Sequence, residues 1–415
     1  MKKEKIFDSV FLTVVLFLFQ IYFGVIPGWE KLTSDFPNYY VSAKVLSEHK
    51  DLSVLYDNIL FKEKIKEYGI NAGGQFALYP PPNALILLPF ASFSPLTAKR
   101  IWLAINIFLV FLTGFLIKKL TGWNFVQAIN TLLITGFALA NDLFLGQVYL
   151  FCTVLLLSGY LFLMRNKTFF LSLSWGMAMA LKYLPVIFLP VLLLKKKWKM
   201  LAGIIAVFFF IHLFCIPFFG PVEYVRFFKN IFASHIQGNL LEGNPYSIQY
   251  QSWESFLNNL FVYDVQFNQH PVFNFQAGYP VFKFIIYAGV ILILTRFYFI
   301  ARKNKSFFEI IISLSVISLL ILEPGSATYH NLFLLLPFII ILKILTDTNQ
   351  AEHKFYFSAL FFLIGFLPAL LNKLALFNSG NLFLSYNRLW LEMIFYFYSV
   401  LLLYLFNKKI PVQTA

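Results

Sequence analysis

Residues 168–199 read TFFLSLSWGMAMALKYLPVIFLPVLLLKKKWK, and the way this stretch divides sets the topology of the whole chain. As one helix it crosses a membrane once; as two short helices broken near Lys182 and Pro185 it crosses twice. Proline lacks a backbone donor and disfavours helix in the residue before it, so Lys182-Tyr-Leu-Pro185 reads as a break. Charge decides the same way. Basic clusters at Lys2-Lys3-Lys5, Lys118-Lys119, Arg165-Lys167, Lys195-Lys196-Lys197-Lys199, Arg302-Lys303-Lys305 and Lys408-Lys409 punctuate the apolar runs. An excess of Lys and Arg marks cytoplasmic loops, and the broken reading puts every cluster on that side. The alternative makes 168–194 a single helix and 79–93 a full span, and it strands Lys118, Lys119 and the Arg165 cluster outside.

Working outward, the predicted spans are 7–26, 100–117, 124–140, 147–164, 168–181, 183–194, 200–218, 281–301, 306–322, 329–345, 355–371 and 388–406. Many are long enough for a hydrocarbon core of about 30 Å, giving an all-α polytopic membrane protein of about twelve crossings with both termini cytoplasmic. Composition agrees: 59% of the 415 residues are hydrophobic and only 13% charged, against about 25% charged in soluble domains. The segment 79–93, interrupted by Pro80, Pro81, Pro82 and Pro89, reads as a re-entrant or tilted piece on the outer side. The first span reads as an uncleaved helix rather than a signal peptide. The whole of 1–415 reads as a single integral membrane domain.

Two large loops then face away from the cytoplasm, 27–78 and 220–280. The first carries two candidate interfacial helices, Tyr39–Leu46 and Ile59–Tyr68, the second of which alternates Phe61, Ile65 and Tyr68 with charged residues. A formal charge of +14 arises from the loop clusters, so no nucleic acid is expected as a partner. Phe is abundant in the manner of an AT-rich coding bias. Cys152 and Cys215 lie in apolar stretches as packing residues. Neither a metal-ligand spacing, a Walker lysine loop nor a Gly-x-Ser-x-Gly elbow occurs. No internal repeat is visible, which weighs against a transporter.

Ionisable residues beside membrane spans are costly and point to function. Here they collect on the outer side: Asp35 and Tyr79 after the first span, Asn141, Asp142, Gly146 and Gln147 in the third turn, Lys182 at the break, and Glu323 with His330 around a later turn. Plainer readings exist for each. Asp35 would serve as a helix N-cap, Lys182 would snorkel to the interface, and His330 would be a satisfied interfacial imidazole. Glu392 reads as a structural ion pair with Arg388.

Taken in order, these pieces resemble glycosyltransferase family 87, membrane enzymes of GT-C fold that include polyprenyl-phosphate-mannose-dependent mannosyltransferases. The residues that carry the resemblance are Asp35 with Tyr39-Tyr40 and Ala43, Leu55-Tyr56, Tyr79-Pro80-Pro81 with Pro89 and Trp102, and Gly146-Gln147. They continue with Gly176, Leu181-Lys182-Tyr-Leu-Pro185, Gln251-Ser252, and Pro324 with Tyr329-His330. The similarity spans roughly residues 1–345, and Gly146-Gln147-Val148-Tyr149 departs from it where an asparagine is expected.

The resemblance implies a GT-C-like bundle with its site on the non-cytoplasmic side. It implies inverting transfer of mannose or a related hexose from a polyprenyl-phosphate sugar to a lipid- or glycan-linked acceptor, with no cofactor and no metal. Asp35 takes the role of general base, and Lys182, His330, Tyr79, Gln147 and Ser252 those of donor phosphate or sugar contacts. The chemistry is coherent. A carboxylate draws the proton from a poorly nucleophilic sugar hydroxyl, and cationic side chains stabilise the charge growing on the departing lipid phosphate. The expected location is a bacterial inner (plasma) membrane. Two other classes share the length and helix count: a transporter or flippase of polyprenyl-linked glycans, and a ligase or polymerase using a diphosphate-linked glycan.

Overall fold

The computed structural model describes residues 9–48, 51–76, 79–232, 244–304, 306–372 and 381–406. The basic residues Lys2, Lys3, Lys5, Lys305, Lys408 and Lys409 and part of the second loop fall outside these. The described chain is almost wholly helical, with one isolated β-bridge between Asp264 and Asn268. Two compact units emerge, one of Met1–Leu133 with Ala138–Glu242, the other of Ile134–Phe137 with Gly243–Ala415.

In the first unit the main helices are α1 Val10–Glu30, α2 Phe36–Ser47, α3 Asn58–Glu67, α4 Pro95–Thr121, α5 Phe125–Leu133, α6 Phe137–Leu145, α7 Tyr149–Met164, α8 Thr168–Lys182, α9 Phe188–Leu194 and α10 Trp198–Arg226. The second holds α11 Trp253–Phe261, α12 Gly278–Ala301, α13 Phe307–Leu322, α14 Leu335–Asp347, α15 Ala351–Leu371 and α16 Asn387–Phe406. Every predicted span meets a helix. Among the described residues seven helices are long and apolar enough to cross a membrane, or eight if the α5–α6 pair, bent by 75°, is one span. The pair bends where a single straight span over 124–140 was expected.

Local sequence explains the helix ends that matter to the site. Ser94 caps α4, its hydroxyl accepting from Thr97 N, with Pro95 at the first helical position. The break at 182–185 is present: α8 stops at Lys182, Tyr183 takes a left-handed φ of 44°, and a tight turn through Pro185 leads into α9. Segment 79–93 forms only short turns of helix at Asn83–Ile86 and Leu88–Phe90. It is anchored by Asn83, which is fully buried and donates to the carbonyls of Pro80 at 3.2 Å and Leu181 at 3.0 Å.

Helices α7, α8 and α10 pack through small residues. Trp175 is fully buried and lies across Gly159, its indole N–H reaching Leu156 O at 3.2 Å, and Gly176 faces Val207. In the first loop α3 is amphipathic as read, burying Phe61 and Ile65 and exposing Ile59. Helix α2 differs from the expectation of an interfacial helix: residues 36–43 are buried on all faces. Its aromatic and small side chains let neighbours cover it all round, so it is a core element.

Candidate active site

The site in the first unit begins at Asp35, the residue before α2. Its carboxylate caps no backbone amide of that helix, so the N-cap reading fails. Oδ2 instead accepts from Gln147 Nε2 at 2.8 Å, and Oδ1 from the Ser34 hydroxyl at 3.3 Å. Gln147 is fully buried, and its Oε1 accepts from the Tyr39 hydroxyl at 2.6 Å. Residues 35, 147 and 39 thus form one hydrogen-bonded chain, with the half-buried carboxylate as its terminus.

The turn that presents Gln147 is built for it. Gly146 has a φ of 70°, a left-handed conformation open to glycine, and a Cβ there would meet the Phe36 ring at 3.0 Å. Asp142, fully buried, accepts from Tyr149 N at 3.0 Å and Leu150 N at 3.2 Å. Through Oδ1 it therefore caps the start of α7. The Trp102 indole N–H closes the frame on Gln147 O at 3.2 Å.

Lys182, at the C-terminal end of α8 where a cation is favoured, lies over three tyrosine faces. Its Nζ is 4.2 Å from the centroid of Tyr79, 4.6 Å from Tyr149 and 5.8 Å from Tyr39, all within cation–π reach. Tyr79 sets its ring edge-on to Tyr39 at 5.0 Å and receives a hydrogen bond from Asn38 Nδ2 at 3.4 Å. Burial, and next the Asp35 carboxylate, push the Tyr79 hydroxyl up to about 12, so it is a neutral donor at physiological pH. Four of the residues read from sequence, Asp35, Tyr79, Gln147 and Lys182, are linked here through Tyr39. Asn38 and Tyr149 join them; Tyr149 stands in the stretch that departs from the resemblance, and Asn38, three residues after Asp35, was not singled out.

Ser252 and His330 belong to the second unit. His330 is buried in the turn Thr328–Leu334, with Nδ1 at 2.9 Å from Glu323 Oε2 and its ring edge against Tyr329. The Ser252 hydroxyl caps α11, accepting from Ser255 N at 3.3 Å, and donates to Pro324 O at 2.6 Å. It is thereby spent on holding the turn that carries Glu323. Arg388 and Glu392 form the ion pair read from sequence, Nε to Oε1 at 3.4 Å. The Arg388 guanidinium also donates to Ser326 O, and to Thr328 Oγ1 at 2.8 Å. No group of three or more metal-ligating side chains occurs among the described residues.

A family model described as glycosyltransferase family 87 matches residues 77–322, more than half of the chain. No curated protein and no solved structure matches. The matched stretch takes in Tyr79, Gln147, Lys182 and Ser252 and leaves Asp35 and His330 on either side of it. A nearly all-helical chain with long apolar helices, a buried polar centre and this match belongs to glycosyltransferase family 87, and is a membrane glycosyltransferase.

Proposed function

We propose that the protein transfers mannose or a related hexose from a polyprenyl-phosphate donor to a lipid- or glycan-linked acceptor, with inversion, on the non-cytoplasmic face of a bacterial plasma membrane. The observation that carries this is the chain Asp35–Gln147–Tyr39 joined to the tyrosine-lined ammonium of Lys182.

Asp35 accepts the proton of the acceptor hydroxyl. The hydroxyl oxygen forms its bond to the anomeric carbon from one face as the bond to the phosphate oxygen breaks on the other. Polyprenyl phosphate leaves with the electron pair. Gln147 orients the carboxylate through Oδ2, leaving Asp35 Oδ1, beside the exposed Ser34, to receive the proton. Lys182 supplies the positive charge that a phosphate needs as its own charge grows, so transfer requires no metal or other cofactor. Tyr79, kept protonated, and Tyr39 line the pocket, where ring faces suit the apolar side of a sugar. In the second unit Ser252 acts through the turn it holds, which carries the Glu323–His330 pair. The scaffold is a GT-C-like bundle of about twelve crossings, supported by a helix at every predicted span.

The test incubates membranes carrying the protein with a panel of labelled polyprenyl-phosphate sugars and an extract of lipid acceptors, with and without EDTA. The proposal expects a new labelled glycolipid and free polyprenyl phosphate with one donor, undiminished by EDTA. Movement of intact donor between leaflets without a new glycosidic bond would instead make the protein a flippase.

A further inference from the structure

Lys99 is fully buried one turn into α4, and among the described residues it pairs with no carboxylate. Its ammonium donates to Lys31 O and, at 3.3 Å, to Thr33 Oγ1, and sits 5.6 Å from the Phe144 ring centroid. Thr33 Oγ1 in turn donates to Phe144 O at 3.4 Å. Beside it, Arg100 Nε donates to Trp29 O at 3.1 Å. One helical turn further, Trp102 holds Gln147 O. Residues i and i+3 share a helix face, so a single face of α4 grips both the segment leading into Asp35 and the backbone of its partner Gln147.

A buried lysine is costly unless its charge is used. Here it is used on the backbone and hydroxyl just before the proposed base. We infer that Lys99 is a positioning residue for glycosyl transfer, clamping residues 31–33 so that Asp35 is presented to Gln147 in a fixed orientation. The inference rests on the reading of Asp35 as the base, and the clamp itself is measurable without any substrate.

The experiment follows amide hydrogen exchange of the full-length protein in nanodiscs, comparing wild type with Lys99→Met, Lys99→Arg and Thr33→Val. Lys99→Met is expected to speed exchange over residues 31–36 about tenfold or more, as loss of charge-assisted hydrogen bonds would, while α12 exchanges as before. Lys99→Arg retains most of the protection. If Lys99→Met does not fold, Thr33→Val, which removes one of the two acceptors, reads the same clamp with a smaller effect. With whichever donor of the panel the wild type uses, kcat falls roughly 10- to 100-fold with donor KM nearly unchanged, as misplacement of a reacting group predicts, and Lys99→Arg recovers much of it. Unchanged exchange in Lys99→Met, or released exchange with unchanged kcat, overturns the inference. A wild type that transfers no sugar from any donor, with residues 31–36 still released by Lys99→Met, defeats the base assignment and leaves the clamp supported.

Discussion

Gln147 shows how much of this centre a single side chain holds: its amide nitrogen serves Asp35 and its carbonyl serves Tyr39, at 2.8 and 2.6 Å. Lys182 is the cationic counterpart, and its role separates cleanly from that of the base. Replacing Lys182 by Ala should lower donor kcat/KM roughly 100-fold, the scale of losing one charge-stabilising contact in a water-poor site; initial rates over a donor titration would read it. Tyr79 gives a pH signature. The folded protein holds its proton to about 12, while an unfolded chain releases it near 10, so this stabilisation is complete below pH 10 and disappears as pH rises to 12. Stability against unfolding in detergent should therefore fall more steeply over that interval for wild type than for Tyr79→Phe, by up to roughly 2 to 3 kcal/mol. Asp35, Tyr79, Gln147 and Lys182 were legible because a polar residue beside an apolar span is conspicuous. Lys99 was not: standing just before the predicted span, it looks like an interfacial lysine. Its burial comes from carbonyl and hydroxyl groups 68 and 66 positions upstream, which no local pattern announces.

The broken element 168–194 was legible because proline and charge parity act locally, and the left-handed Tyr183 carries the break. The all-round burial of α2 was not legible, because a short run of aromatic and small residues looks the same on a surface as in a core. Packing between α7 and α8 makes a testable demand. A Cβ at Gly159 would stand 2.1 Å from the Trp175 ring, itself fully buried. Gly159→Val should therefore displace the indole and tilt α8, which ends at Lys182. The expected result is a loss of several kcal/mol of stability, seen as a lower Tm, with transfer falling in parallel. An unchanged Tm would mean that these helices are not held by that contact.

Across the chain, the family match covers residues 77–322 and so omits the Asp35 segment that the site chemistry needs. Hydrogen bonds from Gln147 and Trp102, both within the match, connect it to that segment and its partner. Basic clusters assign sides to the loops, and that assignment is open to direct measurement. A membrane-impermeant maleimide applied to intact cells should label Lys62→Cys in α3, an exposed position, and not Lys196→Cys, which becomes reactive only when the cytoplasmic face is opened; the reverse pattern would invert the topology. The helical, strongly apolar character of the chain was legible in the sequence because hydrophobic length is an additive property. The assembly of four distant segments into one centre is cooperative, and only coordinates reveal it. The decisive assay of the Asp35 base is sugar transfer by Asp35→Asn, using membranes with equal amounts of folded wild type and variant and the donor that the wild type accepts. Labelled glycolipid is expected from wild type, with a loss of at least about 1,000-fold in the variant, within the roughly 100- to 10,000-fold that a general base commonly supplies; the amide also disturbs the Gln147 contact. Equal transfer by the two proteins would remove Asp35 from the role of base.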